Sequence, residues 1–324
     1  MASTASPRIC SLLPSATEIA FALGLDQNLV GVTHECDYPA AARSITSVTS
    51  SLNDTETLTS ADIDAAVRRS LENLSTLYLL DRDGLRAAQP DLILTQELCD
   101  VCAVSFDTVQ AVAREICPNA EIVSLEPTSV DDILQDILKV AMKAGAVARG
   151  EELVHELRAR IERIRSVASD VSYQPRVVAL EWLDPPFIAG HWVPELIRLA
   201  GGQDALGQEA VPSRRQHWRD ILASEPEVTV VMPCGFDLNR TLEEYARTRL
   251  PDEWNGGVSA CPSRVYCVDG SAYFSRPGPR VVDGLEILAT ILHPERFGDP
   301  DPRLARLISR SASRRSTAPS QGTR

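Results

Sequence analysis

Residues 146–168, AVARGEELVHELRARIERIRSVA, decide how the rest of the chain is read. The stretch is highly charged, yet Leu153, Leu157, Ile161 and Ile164 recur at helical spacing and form one narrow apolar stripe. No Gly or Pro follows Gly150 within it. That pattern predicts a single long helix lying across two domains rather than a flexible linker, and it lasts too few heptads for a coiled coil.

On both sides of this helix, short apolar strands alternate with amphipathic helices. Before it, strands are predicted at Arg8–Leu13, Leu29–Thr33, Asp91–Thr95 and Glu121–Leu125. Helices are predicted at Ser15–Leu25, Ala61–Glu72, Arg82–Gln89, Val104–Ile116 and Val130–Lys143. Ser15 reads as the N-cap of the first helix, with Glu18 completing a capping box. After it come strands at Arg176–Trp182, Thr229–Met232 and Arg264–Val268, with helices at Val193–Ala200 and Val281–Leu292. Leu85–Cys99 and Ile221–Cys234 share one plan of helix end, Pro, buried strand and Cys. The expected fold class is α/β, with two Rossmann-like lobes on parallel sheets bridged by one long helix. The expected divisions are an N-terminal arm (1–7), a first lobe (8–145), the backbone helix (146–170), a second lobe (171–298) and a disordered basic tail (299–324).

Composition excludes several function classes. Of the 324 residues 44% are hydrophobic, enough for a substantial core, and 24% are charged. A net charge of −13 argues against a nucleic-acid partner, which needs a concentrated basic surface. No run approaches the ~20 apolar residues of a membrane span. The N-terminus does not read as a signal peptide, so the expected location is cytoplasmic, and periplasmic only if a leader was removed. Eight cysteines are then expected to be reduced thiols.

Ligands of open parallel sheets bind beyond the carboxyl ends of the strands. That rule selects the loops His34–Pro39, Gln96–Cys102, Trp182–Trp192, Pro233–Leu238 and Gly270–Arg280. In the second lobe Trp182, Phe187, Trp192, Tyr273 and Phe274 are expected to present aromatic faces, with Arg276 as an anion anchor. His191, Trp218 and Cys234 complete that side. In the first lobe His34, Glu35, Cys36, Gln96, Cys99 and Cys102 are the candidates. Cys99-x-x-Cys102 with His34-x-Cys36 could hold zinc or iron, with packing thiols and redox chemistry as the alternative readings. Glu35, Asp37 and Glu97 lack a paired nucleophile, and no nucleotide, hydrolase or zinc-protease signature is present, so no catalytic residue is expected. His155 and His293 are expected to be solvated.

The loops resemble the two-lobed substrate-binding proteins of metal-chelate ABC importers, most closely the cobalamin (vitamin B12)-binding branch. The resemblance rests on Ser15–Gly24 (SATEIAFALG), Cys36–Pro39 (CDYP), Pro90-Asp91-Leu92, Pro185–Gly190 (PPFIAG), Ala200–Gly202 and Tyr273–Arg280 (YFSRPGPR), spanning roughly Arg8 to Phe297. It implies a monomer that holds cobalamin or another corrinoid between lobes that barely move. It further implies docking on a permease through one acidic residue per lobe. Those positions hold Asp83 and Arg219, and an Arg there opposes docking. Where the B12 binders carry first-lobe aromatics, this chain has Glu35 and Gln96. The expectation is a binding protein for a corrinoid or related metal chelate. The alternatives are an importer receptor for cobalamin or an iron-siderophore, and a metalloprotein or enzyme with a Cys/His site.

Overall fold

A computed structural model of the chain describes residues 7–51, 58–74, 78–96, 106–256 and 264–308. The first half contains strands β1 (Ile9–Ser11), β2 (Leu29–Gly31), β3 (Thr49–Ser51), β4 (Tyr78–Leu80), β5 (Leu92–Thr95) and β6 (Glu121–Ser124). Its helices are α1 (Pro14–Ala22), α2 (Ser60–Leu74), α3 (Arg82–Ala88), α4 (Phe106–Ile116) and α5 (Val130–Lys143). The parallel sheet runs β2-β1-β5-β6, and β3 pairs antiparallel with β4 beside it. β5 is buried along its whole length, which explains its unbroken apolar run.

The 23-residue helix α6 (Val147–Ser169) follows. Leu153, Val154, Leu157, Ile164 and Ala168 are buried on it, while Ile161 packs at the margin of the same core. That core is continuous from Ile9 to Ala305 and includes residues of both sheets. Gly150 permits the close approach of α5, because a Cβ there would fall 2.4 Å from the Ala141 Cβ. Toward the other side, Arg160 pairs with both Asp283 and Glu286.

The second half contains β7 (Arg176–Leu183), β8 (Pro186–Ile188), β9 (Gln203–Asp204), β10 (Arg214–Arg215), β11 (Val228–Val231), β12 (Arg264–Val268) and β13 (Ala305–Leu307). Its helices are α7 (Val193–Leu199), α8 (Trp218–Ala223), α9 (Leu238–Arg247), α10 (Asp252–Gly256), α11 (Gly270–Tyr273), α12 (Val281–Leu292) and α13 (Pro294–Phe297). Strands β9-β7-β11-β12 pair in parallel and repeat the order β2-β1-β5-β6 of the first half. The shared helix–Pro–strand plan therefore marks topologically equivalent places: α3, Pro90 and β5 correspond to α8, Pro226 and β11. Antiparallel β8, β10 and β13 extend the second sheet.

Three local expectations need correction. Helix α1 begins at Pro14, with Leu13 as N-cap and no side-chain cap, so Ser15 does not cap it. Proline suits this place because its missing N–H would have no partner in the first turn. The stretch expected to open a disordered tail at 299 contributes β13, whose Ala305 pairs with Val268; residues 309–324 lie outside the described set. His293 is buried rather than solvated, with its Nε2 3.0 Å from the Gly201 carbonyl oxygen.

On α5, Ser129 and Asp132 form a reciprocal capping box. One turn on, Asp136 is buried, and its Oδ2 has no hydrogen-bonding partner among the described residues. Burial, with smaller contributions from Asp132 and Glu126, raises its pKa from 3.8 to about 7 despite Lys139. The folded protein thus keeps a proton across a range where the unfolded chain has lost it. Stability falls as pH rises from about 4 to about 7, and the full cost is present above that. Asp136→Asn should raise the melting temperature at pH 8 by several degrees and leave it nearly unchanged at pH 4, as read by thermal unfolding.

Candidate functional site

The carboxyl ends of the two sheets bring together the loops that follow β2, β7, β11 and β12, with Gln96 at the end of β5. Their firmest connection is an ion-pair cluster between the lobes. Glu18 on α1 is 4% exposed and accepts from Arg280 Nε at 2.8 Å and Nη2 at 2.6 Å. Arg276 Nη1 approaches Glu18 at 3.3 Å and also donates to Asp37, while its Nη2 reaches the Glu35 carbonyl at 3.3 Å. The Arg280 guanidinium lies 3.9 Å over the Tyr38 ring. Burial alone would raise the Asp37 carboxyl, but the Arg276 guanidinium outweighs it and holds that pKa below the usual range. The segment Tyr273–Arg280 is therefore folded so that two second-lobe arginines grip α1 and the 34–39 loop.

Arg276 was expected to be free for a ligand anion, and instead its guanidinium is taken up by this cluster. Trp192 and Phe274 are likewise not open aromatic faces. They are 5% and 2% exposed, and the Trp192 indole N–H donates to the Phe274 carbonyl at 2.8 Å. His191 stacks on Trp192 with 5.6 Å between ring centroids, and burial lowers its pKa. Trp218 packs edge-on against Trp254 in a smaller core beneath the sheet. Phe187, Tyr273 and Cys234 remain half-buried. Trp182 is also half-buried; its ring lies 5.2 Å from that of Phe236, over which the Arg240 guanidinium sits at 3.8 Å.

On the first-lobe side His34 and Glu35 are exposed and Gln96 is buried. His34 Nδ1 lies 2.8 Å from Thr49 Oγ1, and the Tyr78 hydroxyl donates to Glu35 at 3.3 Å. Cys36 sits in the core, its Sγ 3.1 Å from both Thr17 Oγ1 and Thr33 Oγ1. Burial pushes its thiol pKa up, against the lowering effect of those hydroxyls. This is the environment of a packing thiol, not of a metal-binding thiolate. Cys99 and Cys102 lie outside the described residues, among which no group of three His, Cys, Asp or Glu side chains could hold a metal. A surface cavity of about 660 Å³ lies at the opposite end of the second lobe, lined by Asp170, Tyr173, Arg264, His293 and Arg296 among others.

Sequence reading missed Glu18, Arg280, Tyr38 and Phe236. A signal for Glu18 was present: it is the one charged residue in α1. Replacing it with Gln would leave two largely covered guanidiniums facing a neutral amide. The expected loss is about 3–5 kcal/mol in urea-unfolding free energy, whereas Arg86→Gln, at an exposed pair with Asp83, should cost under about 1 kcal/mol.

The described geometry meets known proteins at three points. The Vitamin B12-binding protein of Vibrio cholerae serotype O1 is 24% identical over 295 residues, covering 88% of each chain. The crystal structure of the periplasmic vitamin B12 binding protein BtuF of Vibrio cholerae superposes with a TM-score of 0.63 at 21% identity, covering 88% of this chain and 96% of that one. A periplasmic heme binding protein from Pseudomonas aeruginosa gives 0.69 at 18% identity, covering 94% and 98%. These two-lobed α/β neighbours confirm the fold class expected from sequence. They also overturn the expected cytoplasmic location, because the family and these solved relatives are periplasmic. Relatives of this kind are binding proteins and not enzymes. The model of the family described as "Periplasmic binding protein" matches residues 9–252, and the chain belongs to that family.

Proposed function

We propose that the chain is a periplasmic receptor that captures a metal chelate of the corrinoid or heme type in the cleft between its lobes and presents it to an ABC permease. The observation that carries this reading is the likeness to vitamin B12- and heme-binding proteins over almost the whole chain. On the second-lobe wall, Trp182, backed by Phe236, is the ring proposed to meet a flat ligand. Phe187 and Tyr273 flank it, with His34, Glu35 and Gln96 opposite and Cys234 at the end of β11.

Docking would use the exposed first turns of α3 and α8. Asp83 is 91% exposed and pairs with Arg86; Arg219 is 83% exposed and pairs with Asp220. The acidic group at the second position is therefore Asp220 beside Arg219, and Arg219 weakens attraction to a basic permease surface. Among the described residues no helix is long and apolar enough to cross a membrane.

Titration of the purified protein with cyanocobalamin, dicyanocobinamide and hemin tests the proposal. At least one should perturb its own absorbance bands and quench tryptophan emission with a dissociation constant in the micromolar range or below. Trp182→Ala should weaken that binding by about 1–3 kcal/mol. Absence of any response to all three at high micromolar concentration would rule the reading out.

A further inference from the structure

Strands β3 and β4 pair with Ser51 opposite Tyr78 and frame a segment of sequence that includes α2. Its described part runs from Leu58 into α2. The first turn of α2 is held by side chains of the second lobe. The Ser60 amide donates to Glu244 Oε1 at 2.8 Å, and the Trp182 indole N–H donates to the Ser60 carbonyl at 3.1 Å. Arg247 Nη2 donates to the Leu58 carbonyl at 2.6 Å. Glu244 is 1% exposed and is itself paired with Arg247 one turn along α9. Main-chain atoms of two first-lobe residues are thus held by three second-lobe side chains.

This contact differs in kind from the apolar packing around α6. It is polar on both sides and incompletely satisfied. The hydroxyls of Ser60 and of Thr241, one turn before Glu244, are buried without a hydrogen-bonding partner among the described residues. Opening would return the Ser60 hydroxyl to water, which offsets part of the loss of the three hydrogen bonds. The position of the contact matters as much, because Trp182 stands at the carboxyl end of β7, on the wall of the proposed cleft.

We infer that α2 is a gate across one side of the cleft, latched by Glu244, Arg247 and Trp182, and that its release sets the rate at which ligand passes. The inference rests on the cleft reading given above. Hydrogen exchange of the full, ligand-free chain tests it without any ligand. Compared with wild type, amides 60–66 should exchange about tenfold faster in Glu244→Ala and several-fold faster in Trp182→Phe, which keeps a ring but removes the indole N–H, while α6 is unchanged. In stopped-flow mixing with hemin or dicyanocobinamide, association and dissociation rates of Glu244→Ala should rise together by about fivefold or more. Unchanged exchange of α2 in both variants overturns the gate. So does faster exchange that extends equally to α6, and so do unchanged rates for a probe that binds. If Glu244→Ala fails to fold, Trp182→Phe carries the test alone. If neither probe binds wild type, the ligand reading fails and exchange alone decides the gate.

Discussion

The apolar stripe of α6 belongs to the cores of both lobes at once, and the rest of the structure depends on that sharing. Near its start, Gly150 lets the helix lie against Ala141 of α5. Near its end, a Cβ on Gly201 would come within 3.2 Å of the Ala168 Cβ, so the second lobe also packs closely on the helix. A helix of 23 residues spans roughly 35 Å, enough to reach across both sheets. Sliding or hinging it would expose Leu153, Leu157 and Ile164 to water, at about 1.5–3 kcal/mol for each large side chain uncovered. The separation of the two sheets is therefore set by packing, and large opening of the lobes is disfavoured. Any movement that admits a ligand must come from parts not rooted in this core.

The Glu18 cluster applies the same constraint at the cleft floor. Burying a carboxylate between two guanidiniums recovers its desolvation cost only if the geometry is good, and the two-point contact with Arg280 meets that condition. Its larger effect is positional. Because Arg276 spans Glu18, Asp37 and the Glu35 carbonyl, the first-lobe loop is fixed in register with the second-lobe segment that carries both arginines. The cleft is thereby pre-shaped, which lowers the ordering cost of binding.

What could be read in the sequence was whatever local pattern determines. Val130–Lys143, Val281–Leu292 and Arg264–Val268 were expected with the boundaries observed, because periodicity and flanking breakers act within a few residues. The helix–Pro–strand repeat pointed to equivalent halves for the same reason. The failures are long-range. Glu18 looked like a capping residue because its partners lie about 260 positions away. Strand β13 has three residues and exists only because β12 offers a free edge. Loop aromatics were read as one platform, yet Trp192 and Phe274 fill the core while Trp182 does not. Composition cannot separate those fates, since the deciding quantity is which neighbour covers each ring. Location failed for a different reason: it was read from the N-terminal stretch alone, and the folded domain itself carries no address.

Trp182 joins these threads. Its ring is backed by Phe236, and its indole N–H is committed to the Ser60 carbonyl of the segment that bears α2. Under the proposed function, the surface that meets the ligand and the latch that holds α2 share one side chain. A ligand that shifts the ring by a fraction of an ångström alters a hydrogen bond whose strength depends steeply on geometry. Binding and gating are then coupled without any change in the distance between the sheets. In the proposed receptor, with its lobes pinned by α6 and Glu18, that is the physical route left for occupied and empty forms to differ on their outer surface.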